Sequence, residues 1–247
     1  MLVKSQVKYI QSLSQKKLRD LDGVFVAEGP KIINELLGAP SIELIQLYAL
    51  KEWMMRSEKL AGSFDKNKIA LIEESDLERI SSLVTANEVL GVFKKPVFDW
   101  ALDPIGKVSL LLDGIQDPGN MGTIIRCADW FGVNQVICSE DCADLFNSKV
   151  VQSTMGSITR VQVLYTDIAI FLEKYKQLPT YAALLEGTPI QKISKIKEGI
   201  IIIGNESKGI NPVFLSPSIY KITIPGGGNA ESLNASVATG ILLSYLT

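Results

Sequence analysis

Residues 224–238 read Ile-Pro-Gly-Gly-Gly-Asn-Ala-Glu-Ser-Leu-Asn-Ala-Ser-Val-Ala. An apolar strand ending at Ile224 runs into a glycine-rich loop, and a helix is expected from Leu233 with Ser232 as its N-cap, since a seryl oxygen can satisfy an amide of the first turn. Polar side chains and free backbone donors therefore meet at one strand-loop-helix junction. Open parallel sheets place their ligand sites at such junctions.

Two similar junctions precede it. In Leu110-Leu-Leu-Asp-Gly-Ile-Gln-Asp-Pro-Gly-Asn-Met-Gly-Thr-Ile-Ile-Arg126 a buried strand ends at Asp113, and Asn120 is placed to cap the next helix. Gly122 and Arg126, four apart, share a helical face. Arg126 stands among Ile124, Ile125, Cys127 and Ala128, which predicts an arginine partly withdrawn from solvent and in need of an anionic or hydrogen-bonding partner. In Ile200-Ile-Ile-Ile-Gly-Asn-Glu-Ser-Lys-Gly-Ile210 a central strand meets Gly204, and Glu206 is the carboxylate of the loop. If the three strands are parallel neighbours, Arg126, Glu206, Ser232 and Asn234 converge on one cleft. Gly119-Asn-Met-Gly122 lacks the GxGxxG spacing of a dinucleotide fingerprint.

Outward from these junctions, the pattern divides the chain. Residues 1–95 alternate short helical and strand patterns: helices over 6–13, 30–37, 51–60 and 75–80, the last with a Ser75/Glu78 capping box, and strands over 24–27, 42–48, 68–72 and 89–93. Residues 96–106 carry Pro96, Pro104 and Gly106 and read as a linker. Residues 107–247 hold strands over 108–112, 135–138, 160–163, 180–184, 200–203 and 220–224 with helices between, the pattern of a mostly parallel sheet covered on both faces.

Composition narrows the chemistry. The 247 residues are enough for one large domain or two small ones, and 47% hydrophobic and 21% charged content fits an ordinary globular protein. No histidine is present, which removes Ser-His-Asp and Cys-His nucleophiles and histidine-based zinc sites. Three cysteines form no CxxC pair, no apolar run reaches membrane-spanning length, and the N-terminus has no export pattern, so a reduced cytoplasmic setting without membrane or metal is expected. Net charge is −2, yet Lys4, Lys8, Lys16, Lys17 and Arg19 stand against Asp20 alone in the first twenty residues, a local field able to steer a polyanion.

Together the junctions resemble the three motifs of the SpoU (TrmH-like) family of SPOUT RNA 2′-O-ribose methyltransferases: Asn120, Gly122 and Arg126; Gly204, Glu206 and Gly209; and Ile224, Pro225, Ser232, Leu233, Asn234 and Ala238. Thr154-Met-Gly-Ser157 is similar to the family's Ser-Ala-Gly-Ala turn, and residues 6–29 and 85–93 resemble the L30e-like RNA-binding domain that precedes the catalytic domain in many members. The resemblance implies an α/β fold whose C-terminal segment forms a trefoil knot. It implies S-adenosyl-L-methionine bound by backbone groups at Gly204, Ile224 and Leu233, and homodimers joined through the knotted domain. The implied reaction is methyl transfer to a ribose 2′-hydroxyl in RNA, ribosomal (23S-type) in preference to transfer RNA. Arg126 carries the family's activating role, with Asn120, Glu206, Ser232 and Asn234 around it. A guanidinium keeps its proton, so Arg126 is read as binding phosphate and the 2′-oxygen, with the proton leaving through Glu206, water or phosphate. The Gly226-Gly-Gly228 run departs from the family, which commonly has a Met there. Two other classes remain: an RNA-binding scaffold that kept the fold, and a small-molecule enzyme on an ordinary doubly wound sheet.

Overall fold

The computed structural model describes residues 2–57, 65–96 and 102–247. The expected helix over 51–60 therefore lies partly outside the described residues, as do residues 97–101 of the expected linker over 96–106. By contact the chain forms two units, residues 1–98 with 146–159, and residues 99–145 with 160–247.

The first unit begins with α1 (Lys4–Ser12) and α2 (Lys16–Asp22), followed by β1 (Val24–Glu28), α3 (Pro30–Gly38), β2 (Leu44–Ala49), α4 (Lys51–Arg56), β3 (Ile69–Leu71), α5 (Glu74–Ile80) and β4 (Val89–Lys94). The sheet order is β1-β4-β2-β3, with β2 and β3 parallel and the other pairs antiparallel. α3 starts as its sequence demands: proline fits a first turn because its missing N–H has no intrahelical partner there, and Ile32, Ile33, Leu36 and Leu37 then share the buried face. α2 is absent from the pattern reading, and it changes the basic patch. Arg19 is only 3% exposed and donates to the carbonyls of Leu13 and Ser14 at 2.8 Å, so it bridges α1 and α2 instead of facing solvent. The patch is therefore Lys4, Lys8, Lys16 and Lys17, all exposed. The capping box at Ser75 is not formed. α5 begins one residue earlier, with Glu73 at the cap and no side-chain cap bond. Glu74 and Asp76 in its first turn suit the positive end of the helix dipole.

The second unit opens with β5 (Val108–Asp113), α6 (Pro118–Trp130) and β6 (Gln135–Cys138). The chain then supplies α7 (Ser148–Thr154) to the first unit. There Phe146 packs on Phe25 with centroids 5.1 Å apart, and the ammonium of Lys95 lies 4.9 Å from the Phe146 ring. The Thr154–Ser157 turn follows, with Met155 at φ 51° and Gly156 at φ 97°. A side chain at Gly156 would be strained by that backbone and would strike Glu35. Back in the second unit come β7 (Gln162–Tyr165), α8 (Ile168–Lys174), β8 (Thr180–Pro189), β9 (Gly199–Gly204), β10 (Tyr220–Thr223) and α9 (Ala235–Leu246). Single 3-10 turns at 190–192 and 212–214, not helices, join the strands around β9.

The six strands run in the order β10-β8-β9-β5-β6-β7, every pair parallel. Ile200–Ile203 in β9 are at most 3% exposed, each contributing about 2 kcal/mol of apolar burial. This explains the unbroken isoleucine run: a central parallel strand is covered on both faces. One expectation is corrected. β5 and β9 are neighbours, but β10 is the sheet edge, separated from β9 by β8. The third motif reaches the centre because the chain leaves β10 and returns as α9, which packs on α6. That return is the excursion a threaded C-terminal segment requires.

Candidate active site

The loops after β5 and β9 are tied together by short polar links. Asp113 accepts a bond from the Asn211 amide at 2.7 Å. Asn205 donates from Nδ2 to the Gly114 carbonyl at 2.7 Å, while its Oδ1 accepts from the amides of Ser207 and Lys208 at 2.9 and 3.0 Å. Its backbone pairs with Gly209 in both directions. The closed loop explains Gly204: a Cβ there would run into the backbone of Gly209 and Ile210. Asn205 was not among the expected site residues. Its signal was an Asn directly after a strand, a position from which the side chain readily binds amides two and three residues on.

α6 is capped by Asp117, not Asn120. Asp117 Oδ1 accepts from the Asn120 amide at 2.8 Å, and Pro118 takes the first helical position. The shift has a consequence: Asn120 lies inside the first turn with its side chain free of capping. Its Nδ2 donates to Glu206 Oε1 at 2.7 Å, and its Oδ1 accepts from Asn234 Nδ2 at 2.8 Å. Asn234, not Ser232, caps α9, its Oδ1 accepting from the amides of Ser236 and Val237 at 2.9 and 3.3 Å and from the Ser236 hydroxyl at 2.6 Å. A single polar chain, Asn234–Asn120–Glu206, thus connects all three motif loops. α6 and α9 then continue side by side, and a Cβ on Gly240 would lie 3.7 Å from Cys127 Sγ.

Arg126 does not join that chain. It is exposed and, among the described residues, makes no hydrogen bond or ion pair. This corrects the expectation of a partly withdrawn arginine. α6 buries Met121, Gly122, Ile124, Ile125 and Ala128. Arg126 falls roughly 120° from the centre of that stripe, and about 9 Å along the axis from Asn120. Its guanidinium is therefore available to an incoming anion. Ser232 and Leu233 are exposed, Ile224 is half-buried, and residues 225–233 make no hydrogen bond among the described residues. Open amides and carbonyls in the loop that leads into Asn234, itself bonded to Asn120, match what a ligand held by backbone groups needs, so these residues fit such a cofactor.

Burial perturbs the groups beneath the loops. Desolvation pushes the Asp113 carboxyl up, reinforced by the nearby Asp141 charge and opposed by the Asn211 amide. Cys142 is lowered to about 7, chiefly by a hydrogen bond from Cys138 and also by Ser139 and the Ile115 amide, against the effect of burial. Burial raises Cys127, with the Arg126 charge opposing. Among the described residues no group of three or more His, Cys, Asp or Glu is placed to hold a metal ion, and no helix is long and apolar enough to cross a membrane.

The SpoU rRNA methylase family model matches residues 107–244, and a model of the MRM3-like substrate-binding domain matches residues 4–91. A Bacillus subtilis (strain 168) protein named 23S rRNA (guanosine(2553)-2′-O)-methyltransferase RlmP is 31% identical over 246 residues, covering 98% of this chain and 95% of its own. A TrmH-family structure from Porphyromonas gingivalis superposes with a TM-score of 0.83 at 34% identity, covering 99% of this chain and 98% of its own. An AdoMet-bound rRNA methyltransferase from Sinorhizobium meliloti gives a TM-score of 0.83 at 29% identity, covering 99% and 95%. With these matches spanning both units and all three motif loops, the chain belongs to the SpoU rRNA methylase family.

Proposed function

We propose that this chain transfers the methyl group of S-adenosylmethionine to a ribose 2′-hydroxyl of ribosomal RNA. The observation that carries the proposal is the Asn234–Asn120–Glu206 hydrogen-bonded chain, which fixes the loops after β5, β9 and β10 relative to one another. The full-length likeness to a relative named for 23S rRNA favours ribosomal over transfer RNA.

When bound, S-adenosylmethionine supplies an electrophilic sulfonium methyl. The backbone at Gly204, Ile224 and Leu233 holds it, with the open amides of the 225–233 loop available around it. Alignment of the methyl with the ribose oxygen supplies much of the rate, since well-oriented reactants escape about 7–11 kcal/mol of barrier. Arg126, exposed and without a partner among the described residues, binds the adjacent phosphate and the 2′-oxygen and stabilises charge developing on that oxygen. Glu206 receives the hydroxyl proton while Asn120 holds its carboxylate in place. Ser232 and Asn234 orient the ribose and Asn120. The first unit, with its MRM3-like match over residues 4–91, binds the RNA through Lys4, Lys8, Lys16 and Lys17.

The working form is a homodimer closed over the outer face of α6 and α9. Trp130 of α6 and Val237 and Tyr245 of α9 are 84%, 50% and 48% exposed, apolar surface that a second copy would cover. The protein acts in the cytoplasm, where its three free thiols are at home.

The test is direct. Purified protein is incubated with S-adenosylmethionine and ribosomal RNA, and the digested RNA is assayed for 2′-O-methylnucleosides by mass spectrometry. One methylated nucleoside is expected. Cofactor binding without methylation of any RNA would favour a scaffold, and methyl transfer to a small molecule without RNA would favour the doubly wound alternative.

A further inference from the structure

At the β10 edge of the sheet lies a cavity of about 680 Å³ whose lining includes none of the motif residues. Tyr181 and Tyr220 are register partners on β8 and β10, and their rings stack with centroids 5.2 Å apart and planes 23° from parallel. The cavity exists because β8 leaves the ladder: Lys221 pairs with Ala182, but Ile222 pairs with Thr188, so residues 183–187 bulge away. Lys192 and Lys221 line the cavity, both exposed and, among the described residues, without an ion-pair partner. Ile193 and Ile219 add apolar wall, and among the described residues no lining residue is a carboxylate.

A cross-strand tyrosine pair on an edge strand is ordinary sheet stabilisation. Two lysines lining the same cavity, without an ion-pair partner among the described residues and in a chain of net charge −2, are not explained by it. Tyr220 is 58% exposed, so the stacked pair still presents ring surface outward. An aromatic platform flanked by cations is the arrangement that holds single-stranded nucleic acid: bases stack on the ring whatever their identity, and lysines meet the phosphates. From Tyr220, β10 runs directly to Ile224, about 13 Å at the usual strand rise.

We propose that Tyr181, Tyr220, Lys192 and Lys221 form a docking site for a single-stranded segment of the RNA substrate flanking the methylated nucleotide. The site rests on the RNA methyltransferase reading above. It extends that reading to a second contact surface, on the catalytic unit itself, that reads strand character and not sequence.

The experiment compares wild-type protein with Tyr220→Ala, Tyr220→Phe and the double variant Lys192→Glu/Lys221→Glu. Anisotropy measures binding of a fluorescein-labelled 12-mer of oligouridylate, and steady-state assays give KM and kcat on ribosomal RNA. The expected result is about a tenfold loss of oligonucleotide affinity and a similar rise in KM for Tyr220→Ala and the lysine double variant, with kcat and S-adenosylmethionine affinity unchanged and Tyr220→Phe near wild type. Unchanged affinity and KM in both impaired variants would overturn the docking site while leaving the methyltransferase reading intact. UMP binding as tightly as the 12-mer would also overturn it, marking a mononucleotide site. A wild-type protein that neither binds nor methylates RNA would instead remove the parent reading.

Discussion

Asn234 has two jobs at one side chain. Its Oδ1 caps α9, and its Nδ2 holds Asn120. The jobs are separable, because aspartate keeps the acceptor and loses the donor. Asn234→Asp should leave the melting temperature within error of wild type, since an acidic N-cap is as good as Asn, while lowering kcat by tenfold or more. Asn234→Ala should lose both, with about 1 kcal/mol of stability gone in chemical denaturation. Equal destabilisation by the two variants would mean that the link to Asn120, and not the cap, carries the stability. Glu206→Gln should reduce kcat by about 10² if the carboxylate takes the proton, with S-adenosylmethionine affinity retained in calorimetry. The exposure of Arg126 was not legible from its neighbours. Ile124 and Ile125 on one side and Cys127 and Ala128 on the other suggested burial, but the buried stripe of α6 passes it by.

At the scale of elements, strands were easier to read than helix starts. The isoleucine run at 200–203 and the Leu110–Leu112 run appear in the structure as buried strands, because a parallel strand covered on both faces must be apolar throughout. Caps were misplaced at Asn120 and Ser232 because Ser, Asn and Asp all cap well and the sequence offers several within a few residues; at Ser75 the helix starts instead from Glu73, whose side chain makes no cap bond. The choice at α6 fell to Asp117, which puts Pro118 at the first helical position and frees Asn120 for the site. Gly204 is fixed by the closeness of the Gly209–Ile210 backbone. Gly204→Ala should pry that loop open, with an overpacking cost of about 1–3 kcal/mol and at least a tenfold loss of S-adenosylmethionine affinity. In the first unit, the ring of Phe146 is supplied from residues far along the chain. Phe146→Ala should cost about 2 kcal/mol in urea denaturation, below the 3–5 kcal/mol of a fully buried phenylalanine, because the ring is half-buried.

At the scale of the whole molecule, the alternation of strands and helices announced a parallel α/β sheet, and that sheet is present. Strand order was not read: Lys221 and Thr223 mark β10 as less covered than the all-apolar β9, but short-range pattern does not say which strands are neighbours, nor does it show a chain that leaves one edge and packs again at the centre. The segment 146–159, which belongs with the first unit, was hidden for the same reason. What crossed this gap was the motif set, since Asn120, Glu206 and Asn234 only make chemical sense if their loops meet. The proposed dimer is tested by Trp130→Glu, which should shift the species seen in sedimentation from dimer to monomer. The central claim is tested most directly by mapping 2′-O-methylated riboses in ribosomal and transfer RNA from cells that carry the intact protein, lack it, or carry Arg126→Ala. The account predicts one ribosomal position methylated with the intact protein and unmethylated in both other strains. Identical maps in all three strains would contradict it.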